Sequence, residues 1–144
     1  MDTSPTERTR ADARRFYQQL NRALQTGDLA LLDEVIAPDA VDHNPVPGMK
    51  PGLAGIKAAF AEGRLAFPDL VFTVEDVIAE GDKAACRLST RATHRGTFQG
   101  VPATGRQVRE TGIDILRFTR GKVVERWGEF DTLGLLAQLG FAPR

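Results

Sequence analysis

The segment KAACRLSTRATHRGTF, residues 83–98, changes character at nearly every step. Ala84, Cys86, Leu88, Thr90, Ala92 and His94 make one set; Lys83, Arg87, Ser89, Arg91, Thr93 and Arg95 make the other. Successive side chains of an extended chain point to opposite sides, so a period of two marks a strand with one face on a core. The set without lysine or arginine is the inner one. One long strand is therefore predicted from Lys83 to Phe98. Leu70 to Ala79, rich in Val and Phe, reads as a strand joined to it by the turn Glu80-Gly81-Asp82. Arg106 to Phe118 follows beyond the Gly/Pro loop Gln99 to Gly105, and Lys122 to Phe130 follows Arg120-Gly121. This order predicts an antiparallel meander.

Upstream the period is helical. Ala13, Phe16, Leu20 and Leu24 share a stripe on a helix expected from Thr9 to Thr26, ended by Gly27, with residues 1–8 as a loose tail. Asp28 reads as the cap of a short second helix carrying Leu29, Leu32, Val35 and Ile36, stopped by Pro38. Ala40 to His43 is a short extended piece. Asn44 to Gly52, with three prolines and two glycines, is a loop. A third helix carries Leu53, Ile56, Phe60 and Phe67 on one side and ends at Pro68. Asp131 or Thr132 caps a C-terminal helical turn through Leu139, ended by Gly140. Helices first and strands after define an α+β domain over residues 1–144. Helices laid across one face of a curved sheet leave an apolar cavity between the layers.

The 19 basic residues balance the 19 acidic ones, so bulk charge draws the chain to neither nucleic acid nor an anionic membrane. No apolar run has the length of a membrane span, and Met1 to Arg15 lacks the apolar core of a signal peptide; a cytoplasmic protein is expected. The single cysteine, Cys86, reads as a structural thiol. The two histidines are far apart, and no clustered ligand set or dinucleotide fingerprint occurs. Neither a metal nor another cofactor is expected.

Several words of the sequence belong together: Val41-Asp42-His43, Ala66-Phe67-Pro68-Asp69-Leu70, Thr93-His94-Arg95-Gly96, Gly100-Val101-Pro102-Ala103-Thr104-Gly105, Gly112-Ile113-Asp114-Ile115 and Trp127-Gly128-Glu129-Phe130-Asp131. In order and spacing the chain resembles the SnoaL-like polyketide cyclases from about Phe16 to Gly140. The resemblance implies a cone-shaped α+β barrel of the cystatin-like kind, shared with nuclear transport factor, ketosteroid isomerase and scytalone dehydratase. It implies a homodimer formed through the outer sheet face, a small apolar or polycyclic ligand, and metal-free aldol closure of a ring.

Asp114 stands mid-strand among Ile113, Ile115 and Leu116. Apolar surroundings raise a carboxyl towards the range of a general acid/base, and the resemblance puts the acid/base carboxylate at this position. The alternative is an ion pair with a strand arginine such as Arg91 or Arg109. His94 shares the inner face and is expected either to polarise a substrate carbonyl and hold Asp114, or to be tied to the backbone. His43 reads as a pocket-rim or a loop-capping residue, and Asp42 as a turn or solvent residue. Trp127 offers a flat wall for a polycyclic ligand if it faces inward. Leu88, Phe16 and Phe60 are expected as apolar lining. An epoxide hydrolase of this fold needs two carboxylates and an arginine around a water, whereas strand parity sends Arg91 and Arg95 outward. Isomerisation, dehydration and non-catalytic ligand binding also remain open at this level.

Overall fold

The computed structural model describes residues 3–141. The first helix, α1, spans Pro5–Thr26, so it begins within the stretch expected to be a loose tail. The reason is local: Ser4 accepts a hydrogen bond from the Glu7 N–H, and Pro5 occupies the first turn, where a missing N–H costs nothing. Thr6 and Thr9 then tie this turn to Gly81, through Gly81 N–H to Thr6 Oγ1 at 3.0 Å and Thr9 Oγ1 to Gly81 O at 2.6 Å. Gly27, at φ 80°, ends the helix in the left-handed region.

The expected second helix is a six-residue 3₁₀ turn, Leu29–Glu34, and Asp28 makes no side-chain cap. Ile36 already belongs to strand β1, Ile36–Asp42, which also takes in Pro38. A proline fits there because β1 is an edge strand with a register irregularity between Ile36 and Val41. Helix α2 covers Gly52–Ala66. Strands β2, Val71–Glu80, β3, Lys83–Thr93, β4, Gln107–Thr119, and β5, Lys122–Phe130, follow, and α3, Thr132–Gln138, closes the domain. Asp131 accepts from Gly134 N–H as its cap.

β3 stops at Thr93, five residues short of the expected end. His94 still pairs with the strand after the loop, but the N–H groups of Arg95 and Gly96 turn to Ala66 O at the end of α2. A side chain at Gly96 would meet Leu65 O at 2.2 Å, so this close crossing requires glycine.

The five strands form one mixed sheet in the order β1-β5-β4-β3-β2, antiparallel except for β1 on β5. It remains open, with β1 and β2 as edges, and does not curl into the expected barrel. Helices rather than further strands cover its inner face: α1 packs on β2 and β3, and α2 on β1. The main core lies between these layers and includes Tyr17, Leu20, Leu24, Leu88 and Leu116. Among the described residues, no helix is long and apolar enough to cross a membrane.

Candidate active site

Strand register builds the site. Cys86, Asp114 and Gly128 lie side by side on β3, β4 and β5. The even positions of β4 face inward, so Asp114 points under the helices and is 4% exposed. On β5 the register shifts around Val124, after which Arg126, Gly128 and Phe130 share the inner face. Arg126 reaches across Gly128 to Asp114. A side chain at Gly128 would come within 2.4 Å of Asp114 Oδ1 and 2.2 Å of Arg126 Nη2, so glycine makes the pairing possible.

Asp114 Oδ1 accepts from Arg126 Nε at 3.0 Å and lies 2.9 Å from Nη2, while Oδ2 accepts from the Tyr17 hydroxyl at 2.6 Å. Arg126 Nη1 donates to both oxygens of Asp42, at 3.0 and 2.9 Å. One guanidinium thus joins two carboxylates, from β4 and from the end of β1. Asn44 is fixed beside them, because its side-chain oxygen accepts from Gly128 N–H at 2.9 Å.

Burial pushes the Asp114 carboxyl above its ordinary range, against the pull of Arg126 and the Tyr17 hydrogen bond. Burial and the facing Asp114 push the Tyr17 phenol well up. The Arg126 guanidinium is held above its usual value by Asp114 and Asp42, despite its burial. Burial lifts the Cys86 thiol to about 12, which leaves it inert as a nucleophile.

Asp42, Asn44, Asp114 and Arg126 line one side of a cavity of about 570 Å³. Phe16, Leu20, Phe60, Phe67, Phe72 and Phe130 form much of the apolar remainder, and the loops after β1 and β3 add Val46, Met49, Phe98 and Gln99. The size suits a small organic ligand. A separate, more open depression of about 420 Å³, bordered by Asp69, Arg91, Gln107 and Arg109, does not include Asp114. Among the described residues, no three His, Cys, Asp or Glu side chains gather as metal ligands.

The expected site residues divide. Asp114, Phe16 and Phe60 line the cavity; Leu88 is packed into the core beside it. His94 is on the inner face but does not line the cavity, and it is eight residues along from Cys86, roughly 25 Å of strand from Asp114. It cannot hold that carboxylate. Its Nδ1 accepts from Thr104 N–H at 3.2 Å and lies 3.0 Å from Thr104 Oγ1, which ties the ring to the backbone; buried Nε2 has no partner. Trp127 and His43 are on the outer side of the sheet, stacked with ring centroids 4.7 Å apart. The β5 register turns Trp127 away from the helices, so it is no wall of the cavity. His43 Nε2 is 2.8 Å from Glu125 Oε2.

Arg126, not Arg91 or Arg109, is the arginine beside Asp114, and Asp42 pairs with it on the cavity wall rather than facing solvent. Two signals mark the omission. Glu125, Trp127 and Glu129 form an acid-rich outer set, which leaves Arg126, Gly128 and Phe130 to face inward. Tyr17, the only tyrosine, sits at helical spacing between Ala13 and Leu20.

The sequence pattern of the SnoaL-like polyketide cyclases matches residues 11–139, and the chain belongs to that family. Aklanonic acid methyl ester cyclase DauD of Streptomyces sp. (strain C5) is 31% identical over 130 residues, which cover 88% of this chain and 78% of DauD. The solved structure of TsrD from Streptomyces laurentii is 33% identical, with a TM-score of 0.81 over 91% of this chain and 96% of TsrD. AclR from Streptomyces galilaeus, a candidate hydroxylase, is 34% identical, with a TM-score of 0.76 over 93% of this chain and 99% of AclR.

Proposed function

We propose that the protein is a cofactor-independent enzyme that closes a ring in a polyketide-like carbonyl compound by aldol chemistry, with Asp114 as general acid/base. The observation that carries this reading is a buried carboxyl, raised by its surroundings, on the wall of an apolar cavity. A hydrogen flanked by two carbonyls is acidic because its carbanion delocalises. Asp114 removes that proton, the carbanion attacks a carbonyl of the same molecule, and the carboxylic acid returns the proton to the new alkoxide. Tyr17 and Arg126 hold the carboxylate in position. Asn44, whose oxygen is engaged by Gly128, offers its NH₂ group to the developing oxyanion. The apolar walls fold the substrate into reacting range. His94 has no part in this scheme, because it does not line the cavity.

Similarity to DauD supports an aklanonic acid methyl ester as the first substrate to test. With Asp114→Asn, turnover falls by about two to four orders of magnitude while the fold is kept, the usual scale for one acid/base group. Ring closure followed by chromatography, with circular dichroism as the folding control, checks this; undiminished turnover sinks the assignment.

A second reading has its own support. Two carboxylates bridged by an inward arginine are the groups an epoxide-opening enzyme needs to activate water. Reaction in ¹⁸O-labelled water separates the two: ring closure leaves the product unlabelled, whereas epoxide opening incorporates the label. The outer face, with exposed Ile78, Ile113 and Ile115, supports pairing with a second copy; a monomer mass in light scattering at high micromolar concentration would count against it.

A further inference from the structure

The inner face of β4 carries a second carboxyl. Glu110 is four residues from Asp114, roughly 13 Å along the strand, and lines the same cavity. Between the two acids stands Gly112. A side chain there would lie 2.4 Å from the Phe130 ring, so glycine lets that ring lie across the strand between the carboxyls. Phe72 meets Phe130 edge-on at 6.4 Å and 86°. The cavity wall therefore runs from acid to aromatic surface to acid.

The two acids are unlike. Asp114 is paired with Arg126, whereas among the described residues no salt bridge includes Glu110. Burial raises its pKa, with nearby Asp131 adding to the effect against the pull of Thr132. A half-buried acid with no cation beside it keeps hydrogen-bonding capacity for whatever enters the cavity.

We propose that Glu110 is the residue that selects the distal end of the ligand, hydrogen-bonding a hydroxyl or carbonyl there while Phe130 supports the flat middle and Asp114 meets the reacting end. The ligand class this defines is an elongated fused-ring compound, polar at both ends and apolar between. The proposal deepens the reading of Asp114 as the reacting group and rests on it for the direction of the ligand. Its test is binding of unreactive probes, so it is separate from turnover. Anthraquinone, its 2-hydroxy derivative and its 2,6-dihydroxy derivative are titrated by calorimetry at mildly acidic pH, where the phenols are neutral. The second hydroxyl is expected to tighten binding to the wild type by about tenfold, the scale of one hydrogen bond to a buried acid. Glu110→Leu should erase that gain and leave the monohydroxy affinity within about twofold; Glu110→Gln should retain most of it. Glu110→Met replaces the leucine variant if the latter does not fold. A gain that survives in the leucine or methionine variant, or is absent from the wild type, overturns the proposal. Loss of turnover in Asp114→Asn leaves this result untouched, and undiminished turnover there would overturn the catalytic reading instead.

Discussion

Neighbouring residues of β5 build opposite versions of one chemistry on the two faces of the sheet. Inside, Arg126 meets Asp114 and Asp42, with Tyr17 as an added donor. Outside, Glu125 accepts from Arg117 Nε at 2.5 Å and meets His43, whose ring lies on Trp127. Both acids have an arginine and a further polar partner. Yet Asp114 is raised, with burial as the largest cause, and Glu125 is lowered, with the His43 and Arg117 hydrogen bonds as the largest causes. Asp42 adds a small upward push on the inner acid, but the main difference is water. Screening by solvent lets the outer acid keep its charge cheaply, while the helices deprive the inner one of hydration.

Arg126→Met would break this comparison most severely. It leaves two carboxyl groups facing a cavity without their shared cation, and a loss of about 3–5 kcal/mol at neutral pH is expected. Because the penalty belongs to the ionised acids, it should shrink on acidification. Urea unfolding at several pH values measures it; a loss under about 1 kcal/mol at neutral pH would make the inner cluster no more costly to break than an outer one.

Tyr17→Phe is milder, since one donor is lost and the cation stays. A destabilisation of about 1–3 kcal/mol is expected, with Asp114 moved further upward. The acid limb of a pH–rate profile should move up with it. An unmoved limb would show that the phenol does not act on the carboxylate.

Carboxyl NMR titration sharpens the comparison further. Asp114 should titrate above the ordinary value of 3.8 and Glu125 below its ordinary 4.5. The two link to stability with opposite sign. For the raised acid, the folded state binds the extra proton: its contribution is fully present below about 3.8 and is lost as pH rises through the folded value. For the lowered acid, the contribution is present above 4.5 and is lost as pH falls through the folded value. Shifts in the same direction would end the contrast. The smallest effect belongs to Glu125→Gln, for which a melting temperature indistinguishable from wild type is expected by calorimetry; a marked drop would make the outer cluster structural after all.

Much of the frame was legible in single stretches of chain. Two-residue alternation identified β3 and its inner face, Gly27 and Pro68 punctuated the helices, and Asp131 read as a cap. Asp114 stood out because a charged residue among Ile113, Ile115 and Leu116 is locally anomalous. The start of α1 was present in Ser4-Pro5 but hidden in a polar stretch with no apolar stripe. Pro38 misled, since its place on an edge strand depends on which strand lies beside it.

The cluster around Asp114 was not legible in any single stretch of chain. Tyr17, Asp42 and Arg126 come from α1, β1 and β5, up to 97 residues from Asp114 in sequence. Their meeting depends on register across three strands, and a shift near Val124 decides that Arg126, not Trp127, faces inward. Local sequence fixes alternation but not its phase after a bulge, because one extra residue exchanges the two faces. The same holds for His94: sequence placed it on the inner face, but only the pairing of β3 with β4 set it a strand's length away from Asp114. What the sequence determined by itself was therefore the set of elements and one anomalous acid. Tertiary structure chose that acid's partners, because side chains meet through register and packing rather than through proximity along the chain.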